Sequence, residues 1–384
     1  MKNDFSKRLD NIPKSGIREF FDLVMSAKGI ISLGVGEPDF STPWTVREEA
    51  IYAIEKGLTS YTSNQGLLEL RESISGYLNA HFKLNYDPAD EILITNGVSE
   101  GVDILLRALL NPGDEVILPK PLYVCYDPLV QLAGGVVKSV DTSSTNFVPD
   151  PKQIESVITP KTKALVLCYP NNPTGLSIPK KTLQEIAKIA EKYDLWVISD
   201  EIYAEILFSG AALSFASIPG MKKRTITLNG FSKAFAMTGW RIGYLCGPEA
   251  IVSRACKIHQ YSALCVSSFS QYAAIEALKN GIPEMRRMVA SYKQRSQFFA
   301  KGLTEFGLTT LPPEGAFYCF SSVQSTGLSS LEFAKQLLKK EKVAVVPGTA
   351  FGPEGEGYIR SSIATSSSDL EVVLKRLNRF LGSL

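Results

Sequence analysis

Short apolar runs alternate with amphipathic segments along much of this chain. Seven runs predict strands at residues 91–95, 115–118, 136–140, 164–169, 195–199, 225–228 and 241–246. Amphipathic segments at 99–110, 123–133 and 182–193 predict helices between them. Continuous apolar strands separated by helices indicate an α/β fold with a mainly parallel seven-stranded sheet covered by helices on both faces. In such sheets, ligands bind beyond the carboxyl ends of the strands.

The pattern differs on either side of this region. Helices are predicted at 17–25 and 67–82 on the N-terminal side. On the C-terminal side, helices at 249–261, 268–280 and 283–306 come before short strands at 316–320, 343–346 and 357–362. The last helix is predicted to begin at Ser368, which forms a capping box with Glu371. Because no low-complexity linker intervenes, this smaller α+β domain is predicted to pack directly on the sheet.

The composition narrows the function classes. The chain has 384 residues, of which 45% are hydrophobic and 21% charged, and its net charge is +2. These values are typical of a globular chain of two domains and give no reason to expect nucleic acid or a membrane as a partner. No apolar run reaches the ~18 residues of a membrane span, and residues 1–16 contain no apolar signal segment. We therefore expect a cytoplasmic protein.

Cysteine and histidine usage excludes further chemistries. The six cysteines show no CxxC spacing, which favours small buried thiols in a reducing compartment. The chain has two histidines, His81 and His259, and these are too few to build an ordinary zinc site. A Ser-His-Asp triad would have to use one of the two, and His81 lies near the end of an amphipathic helix. We therefore expect no bound metal.

Polar residues follow several of the predicted strands. After the first strand, residues 96–100 open a helix, and either its backbone N–H groups hold a phosphate or Ser99 is a plain N-cap. Residues 169–175 carry two prolines and two asparagines, which predict a fixed irregular backbone, with the Asn172–Pro173 bond a candidate for the cis form. Asp200 follows a buried strand, and a carboxylate at that depth needs a cationic or donor partner.

A lysine lies at the centre of another such cluster, in residues 224–243. Lys233 follows a strand end among Phe231, Phe235 and Met237, and Arg241 lies eight residues further on. Loss of hydration disfavours the ammonium form, so this amine can be neutral and nucleophilic near pH 7. Schiff-base chemistry with a carbonyl cofactor requires such an amine. Taken alone, the lysine is better explained as an ordinary surface residue, and the rest of the chain reverses that preference.

Together these clusters supply the groups that a phosphorylated pyridine aldehyde requires. Seven motifs carry a family resemblance: SLGVGEPDF (32–40), YTSNQG (61–66), YPNNPTG (169–175), SDEIY (199–203), SKAFAMTGWRIGY (232–244), GAFY (315–318) and RSSIATS (360–366). The chain resembles the class I, fold-type I, pyridoxal-phosphate-dependent aminotransferases, of the branch that holds bacterial aspartate and aromatic aminotransferases. The resemblance implies an N-terminal arm and part of the small domain in 1–45, a large cofactor-binding domain in 46–280 and a small domain in 281–384.

The resemblance also implies a role for each residue around the cofactor ring. Lys233 forms the internal aldimine with pyridoxal 5'-phosphate and moves the proton between the substrate α-carbon and the cofactor. Asp200 pairs with the ring nitrogen, while Asn172 and Tyr203 hydrogen-bond the ring oxygen. Tyr123 stacks on the ring. Lys233, Asp200 and Tyr203 are thus the expected catalytic residues.

Further roles concern the phosphate and the substrate. The phosphate is expected to bind groups around one turn, namely Val98, Ser99, Ser232 and Arg241. Tyr61 is expected to reach the phosphate of the neighbouring subunit, which implies a homodimer with shared sites. Arg360 binds the substrate α-carboxylate bidentately. The backbone at Gly36 closes over the substrate, beside Tyr123 and Asn172.

Two departures from the family pattern stand out. Many relatives carry a serine three residues before the lysine, where this chain has Gly230. Aspartate-specific relatives hold the distal carboxylate with an arginine of the partner chain or a lysine at the helix start. Here the partner segment reads KIHQYS (257–262), and the helix start has Ser99. The specific signal for aspartate is missing, and residues 259–261 are a candidate wall for a larger or aromatic side chain.

The leading hypothesis is therefore a ping-pong transaminase. It moves an amino group from an aromatic amino acid, aspartate or another L-amino acid to a 2-oxo acid, for which 2-oxoglutarate is expected. One alternative is a lyase on the same fold, such as a carbon–sulfur lyase. Another is a non-catalytic regulator that binds the cofactor. Such regulators usually add a DNA-binding module, and the presence of Lys233, Asp200 and Arg360 argues for catalysis.

Overall fold

The computed structural model describes residues 7–10, 12 and 29–384. The predicted helix at 17–25 lies outside the described residues. The chain from residue 29 begins with a short strand, Ile31–Ser32 (β1), and two helices, Trp44–Glu55 (α1) and Leu68–Phe82 (α2). No helix in the described part of the chain has both the length and the apolar character needed to cross a membrane.

A seven-stranded sheet forms the centre of the molecule. Its strands are Ile92–Thr95 (β2), Glu115–Lys120 (β3), Val136–Asp141 (β4), Thr162–Cys168 (β5), Trp196–Asp200 (β6), Thr225–Gly230 (β7) and Gly243–Cys246 (β8). They lie side by side in the order β2-β8-β7-β6-β5-β3-β4. Only β8 is antiparallel to its neighbours in this sheet, and the other pairs are parallel. The predicted α/β fold with a mainly parallel seven-stranded sheet is therefore confirmed.

Helices cover both faces of the sheet because successive residues of a strand point to opposite sides. The covering helices are Val98–Leu109 (α3), Tyr126–Leu132 (α4), Pro151–Ser156 (α5), Lys180–Lys192 (α6) and Glu249–Ser262 (α7). On β3, Val116 and Leu118 pack with α3, α4 and α7, whereas Ile117 packs with α5 and α6. This burial on both sides explains why the strands are continuously apolar.

The C-terminal part forms a second, smaller group of elements. Helix Ser268–Asn280 (α8) precedes this group and packs on α1 and α2. The helices of the group are Ile282–Glu305 (α9), Ser330–Glu341 (α10) and Ser367–Leu381 (α11). Its strands are Tyr318–Ser322 (β9), Val343–Ala344 (β10), Val346–Pro347 (β11) and Tyr358–Ser362 (β12). β12 lies between β11 and β9 in an antiparallel sheet, and β10 pairs in parallel with β1. The domain boundaries at 45/46 and 280/281 stay a prediction.

Some local features differ from expectation. The last helix is capped by Ser366, whose Oγ accepts a hydrogen bond from the backbone N–H of Asp369 at 3.0 Å, so the predicted cap at Ser368 is wrong. Helices α1, α5 and α10 were not predicted. On α1, Val46 is buried while Trp44 and Tyr52 on the outer side are 58% and 50% exposed. Because both faces of α1 carry apolar residues, the sequence does not show the 3.6-residue apolar period that a single buried stripe would give.

Glu205 carries a carboxyl group held inside the core. Its Oε1 accepts hydrogen bonds from the Tyr77 hydroxyl at 3.1 Å and from Asn229 Nδ2 at 3.2 Å. Its Oε2 is buried and has no hydrogen-bond partner among the described residues. Burial without a cationic partner raises the pKa of Glu205 to about 7.

We expect the Glu205→Gln variant to be more stable than the wild type in mild alkali. Glu205 has a higher pKa in the folded state than in the unfolded state. Its contribution to the free energy of unfolding is therefore complete below pH 4.5 and is lost as the pH rises through about 7. Glutamine keeps the shape without the charge and should raise the free energy of unfolding by roughly 1–3 kcal/mol near pH 8. Denaturant unfolding of the apoprotein at about pH 5 and about pH 8 measures the difference.

Glu305→Gln is the matched control, because the Glu305 side chain is 60% exposed. It should leave the pH dependence of stability unchanged. A Glu205→Gln variant that is no more stable than the wild type near pH 8 would contradict the raised pKa.

Candidate active site

A cavity of about 720 Å³ opens at the carboxyl ends of the central strands. It is lined by eleven of the predicted site residues: Gly36, Val98, Ser99, Tyr123, Asn172, Asp200, Tyr203, Ser232, Lys233, Arg241 and Arg360. Tyr61 is the predicted site residue that does not line the cavity, and its ring is 83% exposed on this chain. The structure thus brings together residues from the N-terminal segment, the central sheet and the C-terminal sheet.

Lys233 lies in the turn after β7, partly buried and facing the cavity. Its Nζ donates a hydrogen bond to the backbone oxygen of Gly36 at 2.7 Å and lies 6.0 Å from the centre of the Phe317 ring. Burial lowers the pKa of Lys233 to about 8, against a smaller opposing effect of the Glu37 charge. A neutral, nucleophilic amine is therefore accessible close to physiological pH.

Asp200 ends β6 on the floor of the cavity and is 4% exposed. The backbone N–H of Ile202 donates to its Oδ1 at 3.1 Å, and the Tyr126 hydroxyl donates to its Oδ2. Burial raises the pKa of Asp200 to about 6, although the bond from Tyr126 and the Lys233 charge act in the opposite direction. Two donors fix the orientation of this carboxyl group, which is ready to pair with a cationic N–H group in the cavity.

The start of α3 and Arg241 form an anion-binding corner. Gly97 is the N-cap of α3, with φ of +76° and no side-chain cap bond, so the interpretation of Ser99 as a plain N-cap is wrong. The first backbone N–H groups of a helix have no partner within it and attract anions. The Arg241 guanidinium donates to the backbone oxygens of Thr238 at 3.1 Å and Asn96 at 3.3 Å.

Close backbone contacts behind this corner explain one departure from the family pattern. A Cβ atom on Gly230 would lie 2.8 Å from the Cα atom of Gly243 on β8. A Cβ atom on Gly243 would in turn lie 2.8 Å from the backbone nitrogen of Val98. A serine in place of Gly230 would therefore push β8 towards the start of α3. In this chain the packing of β7, β8 and α3 excludes that serine.

Arg360 on β12 reaches across to the cavity from the C-terminal sheet and is 2% exposed. Its Nη1 donates to Asn172 Oδ1 at 3.0 Å, and its Nη2 donates to the backbone oxygen of Gly34. Its guanidinium lies over the Tyr318 ring at 4.6 Å, and its Nε has no hydrogen-bond partner among the described residues. The Asn172–Pro173 bond is cis. A buried guanidinium facing a cavity is suited to bind a carboxylate.

Sequence reasoning missed two tyrosines of this site. Tyr126 donates a hydrogen bond to Asp200. Its position three residues after Tyr123, at the start of a helix, could have indicated that it lies at the site, since the centres of the two rings are 6.3 Å apart. The Tyr318 hydroxyl hydrogen-bonds the Tyr203 hydroxyl at 2.7 Å. Tyr318 lies in the GAFY motif, but nothing in a single sequence places it beside Tyr203.

One suggestion from the sequence is wrong. His259 is 0% exposed and contacts Glu100 inside its own chain, so it cannot form the wall of a substrate pocket. Tyr261, two residues on, is 88% exposed and stays available to another chain.

The residues around the cavity fit pyridoxal phosphate. Asp200 meets the need for a carboxyl group at the ring nitrogen, and Lys233 offers an amine of lowered pKa to the aldehyde. The uncapped start of α3 beside Arg241 suits the phosphate. No group in this set conflicts with the chemistry of the cofactor.

Comparisons with known proteins agree with this fit. The family model for aminotransferase class I and II matches residues 28–377. The putative aminotransferase YugH of Bacillus subtilis is 50% identical over 99% of both chains, and aromatic-amino-acid aminotransferase 2 of Thermococcus litoralis is 45% identical over 98% of both. The crystal structure of Pyrococcus protein-A1, 43% identical, superposes over 98% of both chains with a TM-score of 0.96. This chain therefore belongs to the class I and II aminotransferase family, and it is an enzyme that uses pyridoxal phosphate to transfer amino groups.

Proposed function

We propose that this aminotransferase takes the amino group of an L-amino acid with an aromatic side chain and passes it to a 2-oxo acid, with 2-oxoglutarate as the first candidate. One observation carries the choice of donor. The cations that line the cavity in the described part of the chain are Lys233, Arg241 and Arg360, and each has another task. No further cation is left there for a second carboxylate of aspartate. The 45% identical relative from Thermococcus litoralis, named for aromatic amino acids, supports the same choice.

Each side chain of the cavity has a distinct task in the proposed mechanism. When bound, pyridoxal phosphate supplies an electron-accepting ring. Asp200 keeps a proton on the ring nitrogen, and Tyr203 and Asn172 donate hydrogen bonds to the ring oxygen. Lys233 would hold the cofactor through its amine and would move the proton between the α-carbon of the substrate and the cofactor. Arg360 orients that substrate through its α-carboxylate.

The Arg360→Lys variant should lose substrate affinity while it keeps the cofactor. Lysine has a single ammonium group in place of the planar guanidinium, so it makes one charge-assisted hydrogen bond fewer with the carboxylate. We expect kcat/KM for the amino donor to fall about 10- to 100-fold. Steady-state kinetics measure the fall, and an unchanged visible band of the bound cofactor is the internal control. A variant with wild-type kcat/KM would remove Arg360 from the carboxylate site.

A homodimer with shared active sites is also part of the proposal. Several large apolar side chains are between 50% and 88% exposed: Trp44, Tyr52, Ile54, Tyr61 and Tyr261. The Tyr61 and Tyr261 segments adjoin, because Asn64 Nδ2 donates to the backbone oxygen of Leu264 at 2.7 Å. A monomer rarely exposes so much apolar surface, so a second copy of the chain is the proposed occupant. Tyr61 would then reach the phosphate in the partner.

Hybrid dimers test the sharing of sites. Tyr61→Asp and Lys233→Ala should each inactivate the enzyme, the first by repelling the phosphate and the second by removing the amine. In a mixed dimer one site carries both changes and the other carries neither. Co-expression should therefore restore about a quarter of wild-type activity. Failure of the mixture to regain activity, with dimers present by light scattering, would refute the shared site.

A cytoplasmic location completes the proposal. All six cysteines lie in the described part of the chain, and all are free. Free thiols suit a reducing compartment, where disulfides rarely form.

A panel of donors and acceptors tests the choice of substrates. The purified enzyme is mixed with tyrosine, phenylalanine, aspartate, alanine or acetylated diaminopimelate, without acceptor, and the visible band of the cofactor is followed. The aromatic donors should convert the band fastest. A faster reaction with aspartate would refute the aromatic assignment, and release of ammonia and pyruvate without band conversion would indicate a lyase. The same panel with 2-oxoglutarate and pyruvate compares the acceptors.

A further inference from the structure

Behind the start of α3 lies a hydrogen-bonded pair of side chains that the mechanism does not use. Glu100 is in the first turn of α3, and His259 is in the last turn of α7. His259 Nδ1 lies 3.0 Å from Glu100 Oε1, and the histidine side chain is fully buried. His259 Nε2 has no partner among the described residues, so Glu100 accounts for the polar contact of this ring.

The second oxygen of Glu100 turns back to the residue that precedes the helix. Glu100 Oε2 accepts hydrogen bonds from the backbone N–H of Asn96 at 2.5 Å and from Asn96 Nδ2 at 3.1 Å. The backbone oxygen of Asn96 accepts the bond from Arg241 Nη2. A continuous chain of polar contacts therefore runs from His259 through Glu100 and Asn96 to Arg241.

The charge on Glu100 would ordinarily disfavour a neighbouring phosphate. Two like charges about 8 Å apart repel by roughly 2 kcal/mol at an effective dielectric constant of 20. Burial alone would raise the pKa of Glu100, but the bonds from His259 and Asn96 outweigh it and leave the pKa below its ordinary value. The carboxylate is thus held in its ionised form, turned to Asn96. This leaves the backbone N–H groups of Val98 and Ser99 for an anion.

We propose that Glu100 and His259 are positioning residues for the cofactor phosphate. His259 fixes the Glu100 carboxylate, Glu100 fixes Asn96, and the carbonyl of Asn96 orients the Arg241 guanidinium. The inference rests on the proposed phosphate site at the start of α3 and Arg241. An ion pair that merely fastened α7 to α3 would leave the second carboxylate oxygen free of Asn96. Here that oxygen accepts hydrogen bonds from both the backbone N–H and the side-chain amide of Asn96.

Binding of two forms of the cofactor to the apoprotein tests the proposal. Pyridoxal phosphate and pyridoxal share the ring and the aldehyde and differ in the phosphate. In His259→Leu, which keeps the Glu100 charge but no longer fixes its carboxylate, the dissociation constant of pyridoxal phosphate should rise about tenfold, because one charge-assisted bond of the chain is lost. The dissociation constant of pyridoxal should stay within about twofold. His259→Gln, which keeps a side-chain donor, should recover part of the loss.

A matched control comes from the same helix. Asp103 of α3 forms an exposed ion pair with Arg107 at 2.5 Å, so Asp103→Ala breaks a side-chain pair on the same helix without touching Asn96. It should leave both dissociation constants unchanged. Equal weakening of both ligands in His259→Leu, or wild-type affinity for both ligands in that variant, would overturn the proposal. A wild-type protein that bound both ligands equally well would instead refute the phosphate site itself.

Discussion

Replacing Lys233 by alanine should lower kcat/KM at least about 10,000-fold, because the variant loses both the amine that carries the cofactor and the base that moves the proton. The remaining contacts should still hold pyridoxal phosphate without a covalent bond. Hydride reduction followed by peptide mass analysis should attach the cofactor to the Lys233 peptide of the wild type and to no peptide of the variant. Single-turnover mixing with an amino acid measures the lost step.

Two controls separate chemistry from folding in this variant. Lys222→Ala removes a lysine that pairs with Glu91 at 2.7 Å in an ion pair apart from the cavity-lining residues, and it should keep full activity. A small primary amine added to Lys233→Ala should restore part of the turnover, since it supplies the missing base. Substantial activity of Lys233→Ala without added amine would overturn the assignment of the lysine.

The Asp200→Asn variant should show the second largest effect. An amide cannot keep the charge that holds a proton on the ring nitrogen, so the electron-accepting power of the ring falls. Loss of one partner of a buried charge pair costs about 3–5 kcal/mol, which corresponds to a fall of roughly 200- to 5,000-fold in the single-turnover rate. Rapid mixing with an amino donor, followed through the visible band, measures that rate.

Tyr126→Phe provides a graded comparison for Asp200. It removes the hydroxyl donor to Asp200 Oδ2 but leaves the charge and the Ile202 bond in place. The rate should fall about 5- to 10-fold, the effect of one hydrogen bond. An Asp200→Asn variant within threefold of the wild type, or a larger loss in Tyr126→Phe than in Asp200→Asn, would contradict the role of the carboxylate.

Much of the sheet was predictable because its strands are buried on both faces. Continuous apolar runs such as 164–169 and 195–199 leave little choice of structure, and all seven predicted strands occur in the central sheet. Helix α1 is not predicted from the sequence because Trp44 and Tyr52 make its exposed face as apolar as a face that packs in the core. A helix that is apolar on its exposed face as well as on its buried face therefore looks, in sequence, like part of the interior.

The site residues that lie within short local motifs could be predicted from the sequence. Lys233, Asp200 and Arg360 each lie in a short recognisable motif, and the structure brings them to one cavity. Tyr318 and His259 could not be placed from sequence because their partners are 115 and 159 residues away along the chain. Contacts at such separations depend on the packing of whole elements rather than on local patterns.

The contact between Arg360 and the Gly34 backbone joins residues that are 326 positions apart in the sequence. It can therefore form only late in the synthesis of the chain. Protein synthesis proceeds from the N-terminus, and early domains fold before later ones are made. A nascent chain that ends soon after Cys246 already contains Lys233, Asp200 and Arg241, but β10, which pairs with β1, and Arg360 are still to be translated. In the proposed assignment, the residues that would hold the cofactor are therefore all translated before Arg360, which would bind the carboxylate of the amino acid.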